Sequence, residues 1–289
     1  MRYRAKLLSL PPRADRRTGA HTHERGFSLI ELAIGLAILA IAAVGMTAVL
    51  GKLTEQRKLT ESRALIDDVR QAVLGYVATH GRLPCPALAA SNGQESVAGV
   101  AAGITTCSAQ VGFVPAVTLG LPGLDPNGLV TDAWRDGAGT GNGTHLRSLR
   151  YAISSLAAPV ANALTSAALG APGSLTRRID VQTTIDAGQG LFVCRSAAGI
   201  GAGVNRCGTA ANTLSQNAAA IIWSRGANGN SPADYSADEQ QNANWPQARV
   251  VISREIAPTD ALGGNFDDLV TWIAYPEVAD RLLRGGFVQ

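Results

Sequence analysis

"RGFSLIELAIGLAILAIAAV", residues 25–44, sets one carboxylate, Glu31, inside an otherwise apolar run. The run covers residues 27–50, 24 positions in which Glu31 is the sole ionisable group. About 20 helical residues cross a hydrocarbon core, so this stretch is long enough to span a bilayer. A secretory signal has an apolar region of about 7 to 15 residues followed by a small-residue cleavage site. Here the apolar run continues into a charged helical pattern, which makes a conventional signal peptide the weaker reading.

Charge is distributed unevenly around the run. Before Phe27 stand Arg2, Arg4, Lys6, Arg13, Arg16, Arg17 and Arg25 against Asp15 and Glu24, a net of +5 in a chain whose total is +3, leaving the remainder at −2. A basic segment directly ahead of an apolar one predicts a cytoplasmic N-terminus and a translocated remainder. So small a total, concentrated in one short segment, argues against nucleic acid as a partner.

The chain has 289 residues, 46% of them hydrophobic and 16% charged, enough for a sizeable core in one or two domains. Its 32 glycines and 13 prolines predict long irregular connections. Cys85, Cys107, Cys194 and Cys207 fall into two local pairs with no CxxC and no zinc-ligand spacing. In an exported chain they read as two disulfides. Of the three possible connectivities, Cys85 with Cys107 and Cys194 with Cys207 is favoured.

Beyond the apolar run, Leu65, Val69, Ala72, Val73, Tyr76 and Val77 recur at helical spacing. Glu61, Arg63, Asp67, Asp68 and Arg70 occupy the other faces, and Gly81 followed by Pro84 supplies the stop. Gly35, Gly45, Gly51 and Gly75 each cost only about 1 kcal/mol relative to Ala, so nothing divides the helix between residues 27 and 80. Such a helix is about 80 Å long, apolar all round over 27–50 and on one side over 51–80.

From residue 81 onward the pattern predicts one globular head over 81–289, with strands at 149–154, 179–184, 191–195, 219–224, 250–253 and 269–273. Helices are expected at 156–169 and 276–283, and long loops at "DGAGTGNGTH" and "GANGNSPADYSADEQQNANW".

The opening stretch resembles the prepilin N-terminal signal of type IV pilins and of the pseudopilins of type II secretion systems. In that family a basic leader ends in Gly, Phe follows, and Glu stands fifth in the mature chain. Gly26, Phe27 and Glu31 match those positions. "GRLPCP" at 81–86, Tyr151 in "LRYAIS", "IIWSRGANG" at 221–229 and "DDLVTWI" at 267–273 look like segments of long pseudopilin-like proteins.

The resemblance implies an α+β, type IV pilin-like fold: the long N-terminal helix, a membrane stem plus an amphipathic half, packed on an antiparallel sheet head with disulfides. It implies that 1–26 is a leader removed by prepilin peptidase, which cuts between Gly26 and Phe27 and N-methylates Phe27. Glu31 would pair with the new amine of a neighbouring subunit and set axial register. The expected partners are prepilin peptidase, other pseudopilin or pilin subunits and an inner-membrane assembly platform. The protein would be single-pass in the inner membrane, its head periplasmic.

The function so implied is structural, in a type II secretion pseudopilus that serves protein export. A minor type IV pilus subunit and a membrane-tethered periplasmic binding protein or adhesin are the alternatives. No enzymatic activity, cofactor or metal is expected. Of the four histidines, His21 and His23 lie in the leader, and neither His80 nor His145 sits in a nucleophile motif. "GAGTGNG" at 137–143 lacks the strand-to-helix setting of a phosphate loop.

Some members of the family bind calcium near the C-terminus, and Asp234, Asp238, Glu239, Asp267 and Asp268 offer oxygen ligands suited to a hard cation. Their spacing is not that of an EF-hand, and solvated turns are the expectation. Trp223, Trp245 and Trp272 are expected in the core.

Overall fold

The structure, a computed structural model, describes residues 28–101, 104–134, 145–154, 190–201, 206–244, 249–261 and 263–287, with the backbone alone for 42–50, 101 and 104. It is α+β with two disulfides. Helix α1, Leu29–His80, crosses the boundary between two compact units, residues 1–53 and 54–289. In the first unit every described side chain from Ser28 to Ile41 is exposed. Among the described residues no helix is long and apolar enough to cross a membrane. The expected span at 27–50 extends beyond them, at Phe27 and at the side chains of 42–50.

In the second unit the rest of α1 buries Ser62, Ile66, Val69, Val73, Leu74, Tyr76 and Val77. The stripe is rotated from the expected one, since Leu65 and Ala72 are only half-buried while Ile66 and Leu74 face inward. Burial of a Val or Ile side chain contributes about 1.5 to 3 kcal/mol, so this stripe is the main attachment of α1 to the fold. Gly81 ends the helix at φ +67°, its N–H donating to the Val77 carbonyl at 2.9 Å. A Cβ at Gly81 would stand 2.7 Å from the Phe287 ring.

The main sheet contains β3 (Val111–Phe113), β4 (Arg150–Ile153), β5 (Leu191–Cys194), β6 (Thr213–Ser224), β7 (Val250–Ile252) and β8 (Leu269–Ala274). A separate antiparallel hairpin joins β1 (Val97–Ala101) and β2 (Ile104–Cys107). Central β6 reads AAAIIW over 218–223 because both of its faces are buried, which suppresses alternation. Tyr151, Ile153, Ala220, Ile222 and Ile273 lie in the cluster that contains the α1 residues. Ala152, Ile221, Trp223, Val193 and Val251 form a second cluster.

All pairings in this sheet are antiparallel except β5 with β7, so the expected antiparallel sheet is a mixed one. Ala218 pairs with Leu191 on one edge and with Ala274 of β8 on the other. β8 continues along residues 220–224, so β4, opposite Ala220–Trp223, shares the β5 edge of β6. The Ser154 N–H donates to the Ala219 carbonyl at 2.8 Å, and Leu191 takes the next position. β4 and β5 are thus one strand row, interrupted by residues 155–190.

The strands expected at 149–154, 191–195, 219–224, 250–253 and 269–273 are present, β6 beginning earlier than expected. The helix expected at 276–283 is the amphipathic α3, Tyr275–Arg284. The helix expected at 156–169, the strand at 179–184 and the loop "GAGTGNG" lie outside the described residues. The loop expected at 226–245 contains a helix, α2, Ala237–Ala243. Ser236 accepts from the Glu239 N–H while the Glu239 carboxylate accepts from the Ser236 N–H, a capping box that starts α2.

Polar ties join these layers. Arg70 of α1 is ion-paired with Glu277 of α3 and donates to the Trp272 carbonyl of β8. Arg82 grips Glu95 through both terminal nitrogens, at 2.8 and 2.7 Å, and Glu95 also accepts from Tyr76 Oη and the Cys85 N–H.

Candidate functional site

At the start of α1, Glu31 sits in the first turn, where the helix's unpaired N–H groups favour an anion. Leu29, Ile30, Leu32, Ile34, Leu36, Ile38, Leu39 and Ile41 are exposed around and beyond it. The Leu32 N–H closes the turn onto the Ser28 carbonyl at 3.1 Å. Gly26 and Phe27 lie outside the described residues. A carboxylate set among exposed apolar side chains is costly to bury, at about 2.5 to 3.5 kcal/mol, unless a cation meets it.

The disulfides join Cys85 to Cys107 and Cys194 to Cys207, with Cα separations of 5.3 and 5.6 Å. Cys85 lies four residues beyond the glycine that ends α1, and its bond to the last residue of β2 anchors the hairpin base. Cys194 ends β5, and its bond holds the 207 loop against Phe192, Ile252 and Phe266. Both bonds together use all four cysteines, so the chain offers no thiol nucleophile.

The acidic residues do not behave as one solvated group. Asp234 is exposed in a short turn, as expected. Asp238, Glu239 and Asp268 are buried, which corrects the expectation of solvated turns for them. Asp238 is drawn aside, accepting from the Ala197 N–H at 2.6 Å and pairing with Arg254 at 2.8 Å.

Glu239, Asp267 and Asp268 converge, each offering an oxygen within 4.8 Å of the others. The α2 capping box positions Glu239, which accepts from Asn228 Nδ2 and from the Asp267 N–H, both at 3.0 Å. Asp267 Oδ2 accepts from the Asn228 N–H at 3.0 Å, while its Oδ1 is buried with no hydrogen-bond partner. Asp268 Oδ2 accepts from Asn242 Nδ2 at 2.8 Å, and Asn242 is fixed by two hydrogen bonds to Ile252.

Burial, opposed by the Asn228 hydrogen bond and aided by Glu239, pushes the Asp267 carboxyl up to about 6. Burial drives Asp268 well above the usual carboxylate range. Three carboxylates at this separation resist simultaneous ionisation without a counter-charge. Protons on Asp267 and Asp268 would supply it, in keeping with their raised pKa values, and a hard cation would suit the same oxygens.

Neither histidine of the second unit resembles a catalytic base. His80 stacks on Tyr76 at 3.9 Å and shares its Nδ1 with Thr79 Oγ1 at the helix end, whereas His145 meets the Phe113 ring edge-on at 5.3 Å. Trp223 is buried and Trp272 half-buried in the sheet, while Trp245 lies outside the described residues. Buried Trp134, capping the Asp132 turn, had no sequence pattern to announce it. The capping box behind Glu239 did have one, in the Ser236 to Glu239 spacing.

Residues 21–47 match the family model of the prokaryotic N-terminal methylation motif. No curated protein and no solved structure matches the chain.

Proposed function

We propose that this chain, which carries a prepilin-type N-terminal signal, is a structural pilin-like subunit of a type II secretion pseudopilus. Prepilin peptidase removes residues 1–26 by cutting between Gly26 and Phe27, and Phe27 is N-methylated. Residues 27–50 then anchor the subunit in the inner membrane, residues 51–80 continue the helix, and residues 81–289 form a periplasmic head. The single observation that carries this reading is the motif match at 21–47, within which Gly26, Phe27 and Glu31 fall at the processing and acidic positions.

The chemistry supports assembly rather than catalysis. A Phe27 amine freed by the cut is a cation that can meet the Glu31 carboxylate of a neighbouring subunit. Loss of either partner leaves the other charge buried and unmatched, so the pair fixes axial register. The exposed apolar side chains from Leu29 to Ile41 supply the cohesive surface, and the assembly platform of the inner membrane inserts the subunit. The elaborated, disulfide-bearing head favours a minor pseudopilin over a minor type IV pilus subunit.

Mass spectrometry of intact protein and N-terminal peptides from native membranes tests the proposal. A mature chain beginning at Phe27, with or without a methyl group, is expected. A chain beginning at Met1, or one cut beyond the apolar run, overturns it.

A further inference from the structure

We propose that residues 155–189 of this same chain cover the apolar face of the main sheet that looks away from α1. Alternate strand residues divide the sheet between its two faces. Tyr151, Ile153, Ala220 and Ile222 join the cluster that contains the α1 residues. Ala152, Val193, Ala218, Ile221, Trp223 and Val251 belong to the cluster on the other face.

Among the described residues, every hydrophobic side chain of this second cluster stands on a strand of the main sheet, half-buried Val111, Leu214, Val270 and Trp272 included, and no helix contributes to it. Yet Ile221 and Val251 are 0% exposed and Trp223 is 1% exposed. An apolar sheet face is removed from water by a second layer packed on it, and at about 25 cal/mol per Å² a bare one is costly.

The strand rows identify the segment that reaches this face. β3 and β7 flank the row formed by β4 and β5, which is followed by β6 and then β8, so the sheet is four rows wide. Ser154 leaves the β4–β5 row opposite Ala219, and Leu191 re-enters it opposite Ala218. Residues 155–189 are the longest internal stretch outside the described residues. They therefore begin and end at an inner row of the sheet, beside Ala152 and Leu191 of the second cluster.

Length and chemistry fit the face. Four rows about 4.8 Å apart measure about 14 Å between the outer strands, and a helix over 156–169 would be about 21 Å long. Leu156, Val160, Ala163, Leu164 and Ala167 recur at helical spacing, and no charged residue occurs from 155 to 176. Such a stretch can lie on an apolar face without burying a charge. With it in place the face is part of the core and not a docking surface for a neighbouring subunit.

Photo-crosslinking of the full chain in detergent micelles tests the assignment, with p-benzoylphenylalanine in place of half-buried Trp272 on β8 or half-buried Val111 on β3 and the products mapped by peptide mass spectrometry. From each position the most abundant product is expected within one chain, joined to peptides of 155–189. Should the Trp272 variant fail to melt cooperatively, Val111, in the outer row on the other side of β6, carries the test. Crosslinks between two chains would mean that a second copy covers the face. That result, products that map mainly to other segments, or no crosslink in a cooperatively melting variant overturns the proposal.

Discussion

Replacing Asp267 with Asn removes a carboxylate that the fold holds unwillingly at neutral pH. Its ordinary pKa is 3.8 and burial raises it to about 6 in the folded chain. The folded state therefore holds the proton more tightly than the unfolded state, and stability falls as pH rises from 3.8 through 6. At about 1.4 kcal/mol per unit the difference corresponds to about 3 kcal/mol. Partial exposure of the group brings this to about 1 to 2 kcal/mol.

Asn can retain the acceptor for the Asn228 N–H, so Asp267→Asn should gain that amount at pH 7.5. For a unit of this size the gain is about 3 to 6 °C in melting temperature. The assay is thermal unfolding followed by circular dichroism at pH 7.5 and pH 5, with EDTA present because a hard cation would act as the protons do. The gap between variant and wild type should narrow at pH 5, where wild-type Asp267 is mostly protonated. A variant less stable than wild type at pH 7.5, or a gap independent of pH, would refute the reasoning.

Glu31→Ala should leave membrane insertion intact and abolish cross-linking between neighbouring stems, whereas a tethered binding protein or adhesin would keep its function after the change. Converting Cys85 and Cys107 together to Ser should lower stability by about 2 to 4 kcal/mol, read as a lower denaturant midpoint with the Cys194–Cys207 bond still formed. An unchanged midpoint would mean that the hairpin base is not anchored through that bond. Glu95→Gln breaks the two-pronged contact with Arg82 and should cost about 2 to 4 kcal/mol, and a loss confined to a few tenths would show the pair to be effectively solvent-exposed. Because ionic pairing with Arg82 and the Cys85 N–H lowers the folded Glu95 pKa below 4.5 in spite of burial, its contribution is present above that value and lost as pH falls through the folded pKa.

The N-terminal signal is legible in the sequence because its chemistry is contiguous: leader charge, Gly26, Phe27, Glu31 and the apolar run are read along one short segment. The amphipathic stripe of α1 and the apolar strands such as Leu191–Cys194 and Val250–Ile252 are legible for the same reason, since periodicity and branched side chains are local properties. Helix α2 reads as part of a loop because of the surrounding Gly and Asn residues, although the Ser236–Glu239 spacing of its capping box is a local signal for it. The β1 and β2 strands were not legible: β1, VAGVA, carries little strand preference, and β2, ITTC, though β-branched, is only four residues long in a Gly- and Ala-rich stretch.

What only the tertiary structure decided depends on residues far apart in the chain. Ser154 and Leu191 occupy successive positions along β6, and no property of either segment encodes that alignment. Glu239 and Asp268 look like surface acids in sequence, yet packing against Asn228, Asn242 and β7 removes them from water and concentrates their charge. Local sequence sets which segments can be helix or strand; the environment of a charge is set by the distant segments that fold around it.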